Sequence, residues 1–147
     1  MIHPGGKIKS LSFSKDFSVL ATAASDGCKI VDPENLNILR FFKQEVPMNS
    51  VSVSPLFAAE KPKDIKYHVI VGGGIPAIYA AMSKAAGFEA HICNVMDGKE
   101  IGKMLCHFGP INTIEFFKDG RGYVSAGEDG FVVIVRFDES YFDNEKF

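Results

Sequence analysis

Two sets of histidine, hydroxyl and aspartate residues are the first features of this sequence that could do chemistry. Each set has one member of each type, and the two sets are His3, Thr22 and Asp26, and His107, Ser125 and Asp129. A histidine between a hydroxyl and a carboxylate is the arrangement that activates a nucleophile in hydrolases. The same side chains can also hold a buried turn in place by satisfying one another's hydrogen bonds. Because the set recurs with nearly the same spacing, we interpret it as structural rather than catalytic.

A glycine-rich segment offers a second chemical possibility. An apolar stretch at 69–71 precedes three consecutive glycines at 72–74, and Ala77 completes the pattern G-x-G-x-x-A. In dinucleotide-binding loops such glycines let backbone amides approach a pyrophosphate at the start of a helix. A helix over 79–86 and a strand over 89–93 would complete that unit. The acidic residue expected after the second strand is absent, and we keep a dinucleotide-binding enzyme fragment as the alternative hypothesis.

The composition indicates a globular protein without a cofactor. The 147 residues are 46% hydrophobic and 23% charged, with a net charge of −2, and the charges are scattered, so no nucleic-acid surface is evident. The three cysteines, Cys28, Cys93 and Cys106, form no C-x-x-C pair, which excludes a zinc motif and favours reduced thiols. The sequence shows neither a secretory signal nor an apolar run long enough to cross a membrane. We therefore expect a cytoplasmic protein that binds no metal.

Short strands are predicted around the first histidine set. Apolar and polar residues alternate over 8–14, and further strands are predicted over 19–24, 29–31 and 36–42. Turn residues such as Asp16 separate them. Four short strands joined by tight turns predict one antiparallel sheet.

The end of the chain repeats this plan, with predicted strands over 111–117, 122–126 and 131–137. Self-similarity of this length indicates a repeat architecture, and four strands per unit indicate propeller blades. We predict an all-β chain that forms a partial WD40-type β-propeller of about three four-stranded antiparallel blades. The predicted blade units span approximately 1–46, 47–106 and 107–147. The middle unit is longer, and its charged residues at 61–66 are expected to form a solvated loop.

Several motifs resemble subunit i of eukaryotic translation initiation factor 3, a WD-repeat family. Residues 106–112 read CHFGPIN, residues 125–131 read SAGEDGF, and residues 139–143 read ESYFD. The similarity covers nearly the whole chain. Since the family is a seven-bladed propeller, the resemblance implies that this chain supplies blades five to seven. The chain departs from the family in having no tryptophan and in its apolar stretch at 75–82.

The resemblance also implies a function and partners. The family is a non-catalytic scaffold of the factor 3 complex, which supports pre-initiation complex assembly on the small ribosomal subunit. A C-terminal helix of subunit b would dock at positions that match Asp16, Ile30 and Asp32, two carboxylates around an aliphatic contact. Subunit g is a further implied partner. In such repeats both histidine sets are structural networks, and a WD-repeat adaptor of another complex is a further alternative.

One more expectation concerns the last sheet. Propellers hide their strand edges by closing into a ring, often with a strand from the other end of the chain. That strand is absent from the present sequence. We therefore expect an unpaired edge at the last sheet and self-association of the chain.

Overall fold

The computed structural model describes residues 1–80 and 87–143. In this part of the chain, eleven strands form three antiparallel sheets, each built from consecutive strands. The first sheet contains β1 (Ile8–Phe13), β2 (Leu20–Ala24), β3 (Gly27–Val31) and β4 (Ile38–Lys43). The second contains β5 (Met48–Val53), β6 (His68–Gly73), β7 (Glu89–Asn94) and β8 (Lys99–Leu105). The third contains β9 (Ile111–Phe116), β10 (Gly122–Gly127) and β11 (Val132–Arg136).

Helical structure among the described residues is confined to single turns. There is one α-helical turn, α1 (Ala77–Ala80), and there are three 3₁₀ turns, Pro55–Ala58, Pro62–Asp64 and Glu139–Phe142. None of these segments approaches the length needed to span a bilayer. The predicted all-β chain with about three antiparallel blades is therefore confirmed. The third sheet differs from the prediction because it has three strands rather than four within the described residues.

The three sheets pack face to face, and apolar side chains fill both seams between them. In the first seam, side chains of the first sheet such as Ala21, Cys28 and Ile30 share one core cluster with Val51 and Val71 of the second sheet. Each of these residues is buried because the two sheets pack against each other and exclude water from the space between them. Burial of such side chains contributes about 1.5–3 kcal/mol for each large aliphatic residue. The seams therefore hold the sheets together.

The second seam is built on the same plan as the first. Ile70 and Ala90 of the second sheet belong to one cluster with Ile111, Ile114 and Tyr123 of the third. Both seams thus combine apolar residues from the two middle strands of one sheet with residues from the first two strands of the next. We call the first strand of each sheet, β1, β5 or β9, its innermost strand.

Serine hydroxyls add hydrogen bonds across the first seam. The Ser10 hydroxyl accepts a hydrogen bond from the backbone N–H of Val51 at 3.3 Å, and the Ser12 hydroxyl accepts one from Val53 at 3.0 Å. These backbone groups lie on the innermost strand of the second sheet, on the side that is not paired with β6. The serines satisfy donors that would otherwise be left without partners inside the protein.

The second seam repeats the serine pair. The Ser50 hydroxyl accepts from the N–H of Ile114 at 3.1 Å, and the Ser52 hydroxyl accepts from the N–H of Phe116 at 3.1 Å. The sequence S-x-S on the innermost strand of each of the first two sheets therefore serves the same purpose twice: it fixes the register of the following sheet.

Candidate functional site

The first histidine set forms a continuous hydrogen-bonded network at one end of the first sheet. The Nδ1–H of His3 donates to the Asp26 carboxylate at 2.5 Å, since a carboxylate can only accept. The other ring nitrogen of His3 lies 2.7 Å from the Thr22 hydroxyl. Thr22 in turn donates to the backbone carbonyl of Lys29 at 3.2 Å. The network thereby ties the N-terminal segment to β2, β3 and the turn between them.

Lys29 completes the first network from β3. Its ammonium donates to the carbonyl of Ile2 at 2.7 Å and lies 3.3 Å from the second carboxylate oxygen of Asp26. Partial burial of Asp26 acts to raise its pKa, but the hydrogen bonds and charges of His3 and Lys29 together outweigh it and lower the pKa. The carboxylate is therefore held in its charged form.

The second histidine set has the same geometry in the third sheet. His107 Nδ1–H donates to Asp129 at 3.0 Å, and His107 Nε2 lies 2.9 Å from the Ser125 hydroxyl. Asp129 also accepts from the backbone N–H of Phe108 at 2.9 Å and of Phe131 at 3.0 Å. Burial acts to raise the pKa of Asp129, but these N–H groups and His107 together lower it.

The structure thus brings all six predicted residues together as two trios, and their burial limits what they can do. Thr22 and Ser125, which would carry the nucleophilic hydroxyl of a hydrolase, are each 1% exposed. A nucleophile needs room for a substrate beside its oxygen. In both trios the hydroxyl is instead buried in the packed interior of the protein. The arrangement therefore fits a structural role, in which each trio holds a turn in place through hydrogen bonds.

The two predicted partner-binding aspartates lie at the opposite end of the first sheet. Phe13 pairs with Leu20, and Leu20 pairs with Val31, so the turn after β1 and the turn after β3 project from the same end. Asp16 belongs to the first of these turns and Asp32 to the second. We call this end of the sheet the turn surface.

Both aspartates of the turn surface cap their own turns. Asp16 accepts from the hydroxyl of Ser14 at 2.7 Å and from the N–H of Ser18 at 3.1 Å. The Ser14 hydroxyl first, and then the Ser18 N–H, lower the pKa of Asp16. Asp32 accepts from the N–H of Glu34 at 2.8 Å. The carboxylates are therefore held in defined positions at the surface.

Ile30, the third predicted contact residue, does not lie on the turn surface. Its side chain is 0% exposed and belongs to the core of the first seam. Side chains alternate along β3, so Ile30 points towards the second sheet. Its predicted role as an aliphatic contact between the two carboxylates needs correction.

Two apolar residues that sequence reasoning missed occupy the turn surface instead. Phe17 is 67% exposed at φ 58°, and Leu36 is 53% exposed at φ 60°. Left-handed backbone is costly for bulky side chains and persists where the surrounding structure imposes it. The ring centroid of Phe17 lies 5.4 Å from that of Phe13. The signal was available in the sequence, because both residues are large apolar side chains inside otherwise polar turns.

The glycine-rich segment does not form a dinucleotide-binding unit. β6 and β7 are antiparallel neighbours, with Val71 opposite His91, whereas a βαβ unit requires parallel strands. Of the predicted helix over 79–86, residues 81–86 lie outside the described residues. The antiparallel pairing alone contradicts the alternative hypothesis.

Packing explains the glycines instead. A Cβ on Gly73 would lie 2.1 Å from the carbonyl oxygen of Pro47, and one on Gly72 would lie 2.9 Å from the side chain of Ile111. Gly74 has φ +135°, in the left-handed region that favours glycine. The glycines allow β5 and the third sheet to approach β6 closely.

The cysteines are free thiols. Cys28 and Cys93 are buried in the core of the first seam, and Cys106 is partly exposed. Burial raises the pKa of the Cys93 thiol to about 12, and it raises that of Cys28 further. Both buried thiols therefore stay protonated and unreactive.

Comparison with known proteins identifies the repeats. The family described as WD domain, G-beta repeat matches residues 2–30 and 98–135. These two segments of the chain are therefore similar to WD repeats. The second match runs from the last strand of the second sheet into the last strand of the third, so one sequence repeat spans two sheets and links them.

Curated relatives extend the similarity to nearly the whole chain. Eukaryotic translation initiation factor 3 subunit I of Drosophila grimshawi is 37% identical over 145 residues, which are 97% of this chain and 41% of that protein. The same subunit of Drosophila willistoni is 37% identical over 142 residues, or 95% of this chain and 41% of that protein. The resemblance seen in the motifs is thus confirmed. The chain spans about two fifths of the length of the curated relatives it matches.

Proposed function

We propose that this chain is a non-catalytic scaffold segment of eukaryotic translation initiation factor 3, equivalent to blades five to seven of a seven-bladed subunit. It would bind other subunits of the factor in the cytoplasm and so support assembly of the pre-initiation complex on the small ribosomal subunit. Its proposed partners are the C-terminal helix of subunit b and subunit g. The proposal includes no direct contact with nucleic acid or membrane.

The observation that carries this proposal is the 37% identity over 97% of the chain to proteins named subunit I of that factor. The three stacked sheets add support, since a rigid β scaffold presents its turns at defined positions. The buried hydroxyls of both histidine trios favour binding over catalysis. Fold alone would not separate this function from that of an adaptor in another complex.

We propose that the helix of subunit b docks on the turn surface. Asp16 and Asp32 offer two fixed carboxylates that would orient a helix with basic side chains. Phe17 and Leu36 offer exposed apolar side chains on the same surface. Apolar contacts that become buried on binding supply most of the affinity at such interfaces. Ile30 would contribute indirectly, by packing β3 against the second sheet.

Binding of the purified C-terminal segment of subunit b to the full chain, measured by calorimetry, tests this proposal. Asp32→Lys should weaken binding about tenfold, because it replaces an attractive charge with a repulsive one. Phe17→Ala should weaken it by a similar factor through loss of apolar contact. Retention of full affinity by both variants would contradict docking on the turn surface.

Asp97→Lys provides a matched control. Asp97 lies in the equivalent turn of the second sheet and caps it in the same way, accepting from the N–H of Lys99 at 3.0 Å. Both substitutions therefore remove one turn cap and change the charge by the same amount. The control should bind with unchanged affinity, and a loss equal to that of Asp32→Lys would indicate a general charge effect.

A further inference from the structure

A cavity of about 350 Å³ lies where the β5–β6 connection of the second sheet meets the β9–β10 turn of the third. Leu56 of the connection, Arg121 of the turn and Phe142 of the last 3₁₀ turn line it, together with Lys66. The connection and the turn approach closely, since a Cβ on Gly120 would lie 2.5 Å from the side chain of Leu56. Ligand pockets range from about 300 to 1,000 Å³, so this cavity suits a small ligand. We call it the lysine cavity.

Lys66 brings a buried ammonium group to the lysine cavity. The residue is 1% exposed, and none of the described residues accepts a hydrogen bond from its Nζ. Its backbone N–H donates to the carbonyl of Leu56 at 3.0 Å, which fixes the lysine beside the cavity. An ammonium carries three N–H donors, and burying donors without acceptors costs free energy. The position therefore favours a ligand that accepts hydrogen bonds.

Other charged groups at the cavity already have partners. The Arg121 guanidinium donates to the Glu139 carboxylate at 2.6 Å. Asp119 accepts from the backbone N–H of Arg121 at 2.9 Å and so caps its own turn. Lys66 differs from these residues, because no described residue accepts from its ammonium. The group that a ligand would satisfy is therefore Lys66.

The surrounding charges favour a ligand with a single negative charge. Lys63 and Asp64 contribute opposite charges to the lining, and Asp119 adds a second carboxylate. Burial lowers the pKa of Lys66, and the charge of Asp143 opposes that shift. A phosphate monoester carries about −1.5 to −2 charges at neutral pH, so these carboxylates would repel it more strongly than they would repel a carboxylate. A carboxylate balances one ammonium and accepts its hydrogen bonds.

We infer that the lysine cavity binds a carboxylate carried on a short apolar stem. The carboxylate would accept from the Lys66 ammonium, which can turn towards it on a flexible four-carbon chain. The stem would pack against Leu56 and Phe142, the apolar side chains of the lining. A free organic acid and a glutamate side chain of another polypeptide share this chemistry. The inference goes beyond the proposed function, because the lysine cavity lies outside the turn surface.

Titration of the ¹⁵N-labelled full chain with sodium butanoate, followed by nuclear magnetic resonance at constant ionic strength, tests the inference. The amide resonances of Lys66, Asp119 and Arg121 should shift together and saturate. Butanamide has the same stem without the charge and should bind at least about tenfold more weakly, and so should inorganic phosphate. Absence of saturable shifts, or equal affinity for butanamide or phosphate, would overturn the inference.

Lys66→Met keeps the length of the side chain and removes its charge. Affinity for butanoate should fall more than about tenfold. Lys103→Met is the control, because Lys103 is an exposed lysine that pairs with Glu89 at 3.2 Å, and its affinity should stay unchanged. Urea unfolding should show that Lys66→Met is at least as stable as the wild type, since an unpartnered buried charge is removed. Unchanged affinity in Lys66→Met would exclude the ammonium as the binding group.

Phe142→Ala tests the apolar wall independently of the lysine. It should weaken binding of butanoate about threefold more than binding of acetate, because acetate lacks a stem that reaches the ring. Equal losses for the two acids would contradict packing of the stem against this wall.

A short alanine peptide with one central glutamate, blocked at both ends, separates the two sources of the carboxylate. Tighter binding of this peptide than of butanoate would assign the cavity to an acidic side chain of another polypeptide. Weaker binding of the peptide would assign it to a free organic acid.

Discussion

The two histidine networks contain the same kinds of side chain, yet they hold their aspartates in different ways. The Asp26 side chain is 33% exposed and is fixed by His3 and by the ammonium of Lys29, whereas the Asp129 side chain is 6% exposed and is fixed by His107 and two backbone N–H groups. The backbone N–H groups that bind Asp129 are fixed in position, whereas a lysine side chain can rotate away from Asp26. Water also reaches Asp129 less readily than Asp26. The comparison teaches that one repeat motif produces a solvent-accessible network at the front of the chain and a closed one at its end.

The largest expected difference between the networks concerns their histidines. His107→Ala should lower the free energy of unfolding by about 3 kcal/mol, because Ser125 and Asp129 lose their partner in a closed site. His3→Ala should cost about 1 kcal/mol, because Asp26 keeps Lys29 and can turn to water. Urea unfolding followed by circular dichroism measures both values. Equal losses would show that the exposure of the aspartate does not govern the strength of the network.

A smaller difference is expected at the residue two positions after the network hydroxyl. Ala24 occupies this position in the first network, and Gly127 occupies it in the second, each opposite the first residue of its innermost strand. A Cβ on Gly127 would lie 2.7 Å from His107 Nδ1 and 3.0 Å from an Asp129 carboxylate oxygen. Gly127→Ala should therefore destabilise the fold by about 2 kcal/mol through steric displacement of the network.

Two control variants separate this steric effect from the general effect of replacing glycine. Gly102→Ala adds a methyl group in β8 with no atom within 4 Å, so no such displacement is expected. Ala24→Gly in the first network should cost less than about 1 kcal/mol. If Gly127→Ala proved as stable as Gly102→Ala in urea unfolding, the second network would accommodate a methyl group at this position as the first network does at Ala24.

The smallest effect concerns acid. The fold lowers the pKa of Asp26, so the charged carboxylate stabilises the protein above the ordinary carboxyl pKa of about 4, and this contribution is lost as the pH falls through the lowered value. Asp26→Asn should reduce stability at neutral pH and reduce the further loss between neutral pH and about pH 3. The change should stay below about 1 kcal/mol because water screens the site.

Urea unfolding at the two pH values measures this effect, with Glu60→Gln in an exposed loop as the control. The same acid loss in Asp26→Asn and in the wild-type chain would mean that Asp26 contributes nothing to the pH dependence. Asp129→Asn extends the comparison to the closed network, where the pKa of the aspartate is lowered in the same direction.

Much of the local structure was predictable from the pattern of residues. The alternation over 8–14 predicted β1, which spans Ile8–Phe13, and the run over 36–42 predicted β4, which spans Ile38–Lys43. Alternation of apolar and polar residues indicates a strand because successive side chains point to opposite faces of a sheet. The membership of both histidine trios also followed from the sequence, since the motif recurs with its spacing.

Burial that depends on distant parts of the chain was not predictable in this way. Lys66 belongs to the charged segment expected to be a solvated loop, yet it is buried, and its ammonium lies 5.8 Å from the ring of Tyr141. Burial lowers the pKa of Lys66, against the opposing charge of Asp143. Because the contact joins residues that are far apart in the sequence, no local pattern predicts it.

The sequence by itself determined the class of this protein: short strands in antiparallel sheets, a repeat, and two pinned turns. These features depend on neighbours in the chain and on residue types. Only the tertiary structure decided which interpretation of the three glycines was right, because the carbonyl of Pro47 and the side chain of Ile111 fill the space beside them. It also decided that Ile30 packs inside while Phe17 and Leu36 lie on the turn surface. The stacking of whole sheets decides which face of a strand packs against a neighbouring sheet. The sequence of one strand does not show which face that is.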